Sequence, residues 1–171
     1  AILVPGFPGP VTLRGTVVDA ENQLRLNLAA QGPGQIDTRL TGTMARDFSR
    51  SDLALTGSSQ LGLINPFLSA RSAQGLVRFD LTMNGPLGLN ALGGTVTASN
   101  LRIVDPALNI ALSGGTARAT LASGTARIDA TTSVEGGGTL SAAGTIGMTA
   151  PFAADLQVSA REARLQDPQL Y

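Results

Sequence analysis

Three pairs of side chains in this chain have the types and spacing to hold and move a proton: Asp37 with Arg39, Arg78 with Asp80, and Arg127 with Asp129. On an extended strand, positions i and i+2 share a face about 7 Å apart. An arginine could then hold its neighbouring acid as a general base. The same spacing also describes a solvated outer face, where interleaved charge keeps strands soluble and in register. Ion pairs of that kind contribute only ~0–1 kcal/mol. The outer-face reading fits better, because the charges are evenly dispersed rather than clustered.

Other chemistry is scarce. The chain has no His and no Cys, which removes imidazole catalysis, the usual serine triad, thiolate chemistry, disulfides and the commonest metal ligands. Asp19 with Glu21, beside Asn22 in an expected turn, is the nearest approach to a calcium ligand set, and nothing else supports it. Gly93-Gly94-Thr95 and Gly136-Gly137-Gly138-Thr139 fail as phosphate loops, since no Lys follows and no helix opens after them. No cofactor and no enzymatic activity are expected. The net charge is zero, from 12 arginines (there is no Lys) against 12 acids, so no basic surface is available for nucleic acid. The same balance argues against a polybasic membrane patch.

The elements that carry these residues read as strands. Gln23 to Leu28, Val77 to Met83 and Leu108 to Leu112 alternate apolar with polar residues, the pattern of a ribbon with one greasy face and one wet one. Expected strands cover 11–18, 22–30, 35–43, 52–57, 60–64, 75–84, 94–104, 107–113, 116–122, 125–132, 138–147 and 152–165. Gly32-Pro33-Gly34, Asn84-Gly85-Pro86, Gly114-Gly115, Ser123-Gly124 and Gly136 to Gly138 separate many of them, which predicts an antiparallel meander. Helix is expected only as single turns, at 66–71 and 45–49. Asp105-Pro106 and Asp167-Pro168, with a looser copy at Asn65-Pro66, mark a degenerate repeat whose members start strand-to-strand corners.

If the registers agree, one face collects Leu24, Leu26, Leu28, Leu53, Leu55, Val77, Phe79, Leu81, Met83, Leu101, Ile103, Leu108, Ile110, Leu112, Ile128, Leu156 and Val158. Periodicity alone leaves open whether such a face closes into a sandwich, barrel or solenoid core or stays an open trough. The opening Ala1 to Val4, broken by Pro5 and Gly6, is too short to cross a bilayer. The chain starts without Met and reads as one internal segment, 1–171, of a larger repetitive β domain.

The run from Phe79 to Tyr171 resembles the large periplasmic repeat of the translocation-and-assembly-module family of TamB proteins, related to the AsmA-like proteins. Leu81-Thr82-Met83-Asn84-Gly85-Pro86-Leu87, Gly138 to Ile146 and Ala163 to Tyr171 carry the likeness. The resemblance implies an all-β, mostly antiparallel sheet curved into a U-shaped trough, apolar inside, in a periplasmic protein anchored to the inner membrane. It implies passage of phospholipid acyl chains between inner and outer membranes, and support of outer-membrane protein assembly. An outer-membrane β-barrel assembly factor would be the partner. The family supplies no catalytic residues, and its equivalent of a site is the apolar lining, which falls on the alternating residues named above. A different class remains open: a structural or adhesive β-solenoid repeat of a secreted surface protein, whose apolar face is only core.

Overall fold

Alternation over the length of the chain leaves strand pairing as the way to satisfy the backbone, and neighbouring strands pair with one another. The computed structural model describes residues 9–20, 22–68, 71–107 and 109–162. It holds β1 (Thr12–Ala20), β2 (Gln23–Gly32), β3 (Ile36–Ala45), β4 (Ser51–Gln60), β5 (Ser72–Gly85), β6 (Leu92–Asp105), β7 (Ile110–Ala122), β8 (Thr125–Val134), β9 (Thr139–Gly147) and β10 (Ala154–Arg161). The strands form one 10-stranded sheet in sequence order, each antiparallel to the next. β1 and β10 are its edges and do not pair with each other.

Two short 3-10 segments, η1 (Leu61–Phe67) and η2 (Leu89–Ala91), are the elements outside the sheet among the described residues. No helix there is long and apolar enough to cross a membrane. η1 seals one end of the sheet. Leu63 is buried and lies against Gly34 in the β2–β3 turn, while the Asn65 side-chain oxygen accepts a hydrogen bond from the Ala73 backbone at 2.8 Å. At the opposite end the Ser51 hydroxyl, also buried, donates to the Gly85 carbonyl at 2.8 Å.

Three expectations need correction. Residues 60–64 are not a strand: β4 ends at Gln60 and the chain enters η1, because Asn65-Pro66 turns it and the Asn65 side chain ties that turn to β5. Segments 107–113 and 116–122 are not two strands with a hairpin at Gly114-Gly115. They are one strand, β7, and the glycines form a bulge inside it, with a register shift between Ser113 and Thr116. Gly114 takes the left-handed region at φ 62, and the Thr132 hydroxyl of β8 donates to the Ser113 carbonyl at 3.2 Å, which holds the bulge in place. The helical turn expected at 45–49 is not formed: β3 runs to Ala45, and the β3–β4 connection is a tight turn closed by Phe48 N–H to the Ala45 carbonyl at 3.0 Å. Asn65-Pro66 and Asp105-Pro106 both lie at strand-to-strand corners, and Asp167-Pro168 lies outside the described residues.

The sheet has little interior. Among the described residues, Leu26, Leu53, Ala73 and Val134 of the sheet and Leu63 of η1 are the buried hydrophobic ones, and no large side chain is completely enclosed. Close strand contact relies on glycine at points such as Gly42, whose φ is 131. A Cβ there would run into the Asp52 carbonyl and the Leu53 Cα of β4.

Candidate functional site

Directly opposed residues in an antiparallel pair share a face, so the registers assign every strand residue to one side or the other. Leu28, Leu40, Leu55 and Leu81 stand opposite one another in turn across β2 to β5. Leu26, Gly42, Leu53 and Met83 form the next line, and Leu24 faces Met44. Phe79 lies between Gly57 and Val96, and Val77 between Ser59 and Ala98. Farther along, Ile103 faces Leu112, which faces Val134, and Ile110 faces Asp105. Ile128 leads through Gly144 to Leu156, and Ala130 through Ala142 to Val158. Every residue of the apolar set therefore lies on one side, which we call the leucine face, except Leu108, which is outside the described residues.

Sequence parity would have split this set. In β6, Val96 and Ala98 are even-numbered, whereas Leu101 and Ile103 are odd; in β7, Ile110 and Leu112 are even, whereas Ala117, Ala119 and Leu121 are odd. Each strand absorbs one extra residue. β6 does so around Asn100 (φ 52) and β7 at Gly114, side by side in the sheet, where Leu101 pairs with Gly115. A single inserted residue turns the following side chains over, and the two bulges return all of them to the leucine face.

The registers also add residues to that face: Leu40, Met44, Val96, Leu121, Leu140 and Ile146. Their signal is present in segments such as Leu140 to Ile146, but only if the intervening Ala142 and Gly144 are counted as members of the apolar alternation. Ala98, Ala117, Ala130 and Ala142 form a line of small residues across β6 to β9 on this side, whereas Ala29, Ala54 and Ala143 lie on the other.

The opposite, charged face carries Arg14, Arg25, Asp37, Arg39, Asp52, Arg78, Asp80, Arg118, Arg127 and Asp129 among threonines and serines. Of the three pairs spaced two apart, Arg127 and Asp129 form an ion pair at 3.7 Å, both well exposed. Asp129 also stands across from Arg118. These acids lie in the open, as an outer face requires. Among the described strand residues, the leucine face bears charge only at two strand ends. Asp19 is ion-paired to Arg46, and Asp105 accepts from Arg71 Nε at 2.6 Å. The bond to Asp19 holds the Arg46 guanidinium above its ordinary pKa. Asp19 is thus engaged by an arginine, and Glu21 lies outside the described residues. No cluster of ligating side chains that could hold a metal ion occurs among the described residues.

Exposure alternates with the faces in β8 and β9, whereas β1 and β10 are exposed on both faces. Along β8 and β9 the leucine-face positions are half-buried or buried, and their neighbours on the charged face are exposed. This holds although no second sheet covers either side among the described residues. On the leucine face a cavity of about 230 Å³ draws Leu101 and Ile103 from β6, Leu112 from β7, Ala130 and Thr132 from β8, Leu140 and Ala142 from β9, and Val158 from β10.

No family model, curated protein or solved structure matches the chain. The site is therefore read from its chemistry: a continuous apolar surface with a shallow hollow, free of charge except at two paired strand ends.

Proposed function

We propose that this chain is a non-enzymatic segment that holds or conducts the acyl chains of phospholipids along its leucine face. The observation that carries the reading is the continuity of that face over ten strands, half-buried along β8 and β9 and exposed on β1 and β10, yet uncovered by any second layer among the described residues. In a flat sheet β6 and β10 would stand about 19 Å apart. A sheet bent toward the leucine face accounts for side chains of both strands walling one small cavity. In such a U-shaped trough an acyl chain gains ~0.8 kcal/mol per CH₂ removed from water. Leu, Val and Ala offer no polar anchor, so a tail can slide. The arginines and acids of the opposite face keep water on the outside.

The likeness to the TamB family supports the setting: the periplasm, in a protein anchored to the inner membrane. An outer-membrane β-barrel assembly factor is the partner in that setting, and the role is lipid transport that supports outer-membrane protein assembly.

Native mass spectrometry of the purified chain, with extraction of bound material, tests the reading. Co-purifying phospholipid that disappears on Leu81→Asp or Ile110→Asp is the expected result. A lipid-free, well-folded protein would overturn it and return the leucine face to a purely structural role.

A further inference from the structure

In an antiparallel meander the connections leaving odd-numbered strands lie at one end of the sheet, and those leaving even-numbered strands at the other. Among the described residues, five large apolar side chains outside the strands are exposed. Four of them stand at the first end: Phe48 in the β3–β4 turn, Leu87 and Leu89 in the β5–β6 connection, and Phe152 in the β9–β10 connection. Each is more than half exposed. The other end has Ile64 of η1, beside connections such as Pro33 to Gln35 and Glu135 to Gly138.

The loops of the first end are tied to one another. The Leu87 N–H donates to the Phe48 carbonyl at 3.2 Å, Asn90 lies against Gly124 of the β7–β8 turn, and the Met148 N–H donates to the Gly124 carbonyl at 2.8 Å. Together they form one ledge running from β3 to β10. Phe48 and Phe152 take left-handed backbone, at φ 60 and 55, which a bulky residue disfavours and Gly or Asn would adopt at less cost. An aromatic ring that water still reaches adds little to folding, so a use outside the fold is the better account of these two positions.

We propose that this ledge docks on a lipid bilayer, its four apolar side chains entering the boundary between headgroups and acyl chains. Phe48 and Phe152 are roughly 29 Å apart along the sheet, six strand spacings. A protein partner would need a matching pocket at each tip, whereas a bilayer surface receives them all. Charge plays little part. Residues 86–91, 123–124 and 148–153 carry none, and beside Phe48 the arginines Arg46 and Arg50 are offset by Asp19 and Asp47. Attachment then scales with apolar area and needs no anionic lipid. The inference does not depend on what the leucine face holds.

The chain has no Trp, so a single Trp reports on the position where it is placed. The unaltered chain should float with phosphatidylcholine vesicles, and equally well in high salt. Emission of Phe48→Trp, Leu89→Trp and Phe152→Trp should shift to the blue when these vesicles are added, and that of Ile64→Trp should not. Phe48→Ser and Phe152→Ser should each weaken vesicle binding about tenfold, with circular dichroism unchanged. A chain that stays off the vesicles, one that needs anionic lipid or low salt, or a blue shift at position 64 equal to that at the tips would overturn the proposal.

Discussion

Leu55 on β4 stands directly across from Leu81 on β5, and the line continues through Leu40 to Leu28. These side chains shield one another from water without a second layer over them among the described residues. The sheet's stability therefore depends on cross-strand apolar pairs and less on an enclosed core.

Leu81→Asp places a charge in that line, whereas Thr82→Asp, one residue on, places it on the exposed opposite face. The first should destabilise the protein by about 2 kcal/mol and the second by less than about 0.5 kcal/mol. Urea midpoints of the two variants measure the difference, and equal losses would contradict the register.

Gly42→Ala should cost about 2 kcal/mol or more, since the new Cβ collides with the Asp52 carbonyl and φ is 131. Gly114→Ala, in open space at φ 62, should cost only about 1 kcal/mol, the penalty of the left-handed backbone. Thermal or urea unfolding ranks the two.

Leu63→Ala empties the contact between η1 and Gly34 and should cost about 2–3 kcal/mol. Asn65→Ala leaves the Ala73 N–H without its partner, beside a buried side chain, and should cost about 1–2 kcal/mol. Hydrogen exchange at Ala73 should quicken in both variants.

The Ser49 hydroxyl and backbone N–H donate to the Asp47 carboxylate at 2.6 and 3.1 Å and hold its pKa below the ordinary carboxylate range. A group depressed in the folded state stabilises it above the unfolded pKa and loses that effect as pH falls through the folded pKa. The β3–β4 turn should therefore hold at neutral pH and loosen in acid. In Ser49→Ala the Asp47 pKa should move up toward its ordinary value, as read by carboxyl NMR titration.

Several local features were legible in the residues themselves. Pro33-Gly34, Ser123-Gly124 and Gly136 to Gly138 all fall in turns between strands, because these residues supply backbone angles that strands do not. Leu61-Gly62-Leu63 imitates a strand, but the Asn65-Pro66 turn, tied to β5 through the Asn65 side chain, coils it instead. Gly114-Gly115 imitates a hairpin turn, but β6 and β8 on either side keep the chain straight through it.

Composition excluded imidazole and thiol chemistry from this chain's own side chains, because it has no His and no Cys. Alternation assigned the apolar residues within each strand to a common side, because that property depends only on the two-residue repeat of the extended backbone. Whether separate strands point the same side the same way is not a local property. It was decided by the tertiary structure, where paired bulges at Asn100 and Gly114 turn Leu101, Ile103, Ile110 and Leu112 onto the face already held by Leu55 and Leu81. The reason is that one inserted residue reverses every side chain beyond it, and only the neighbouring strand's hydrogen bonds determine where that residue is inserted.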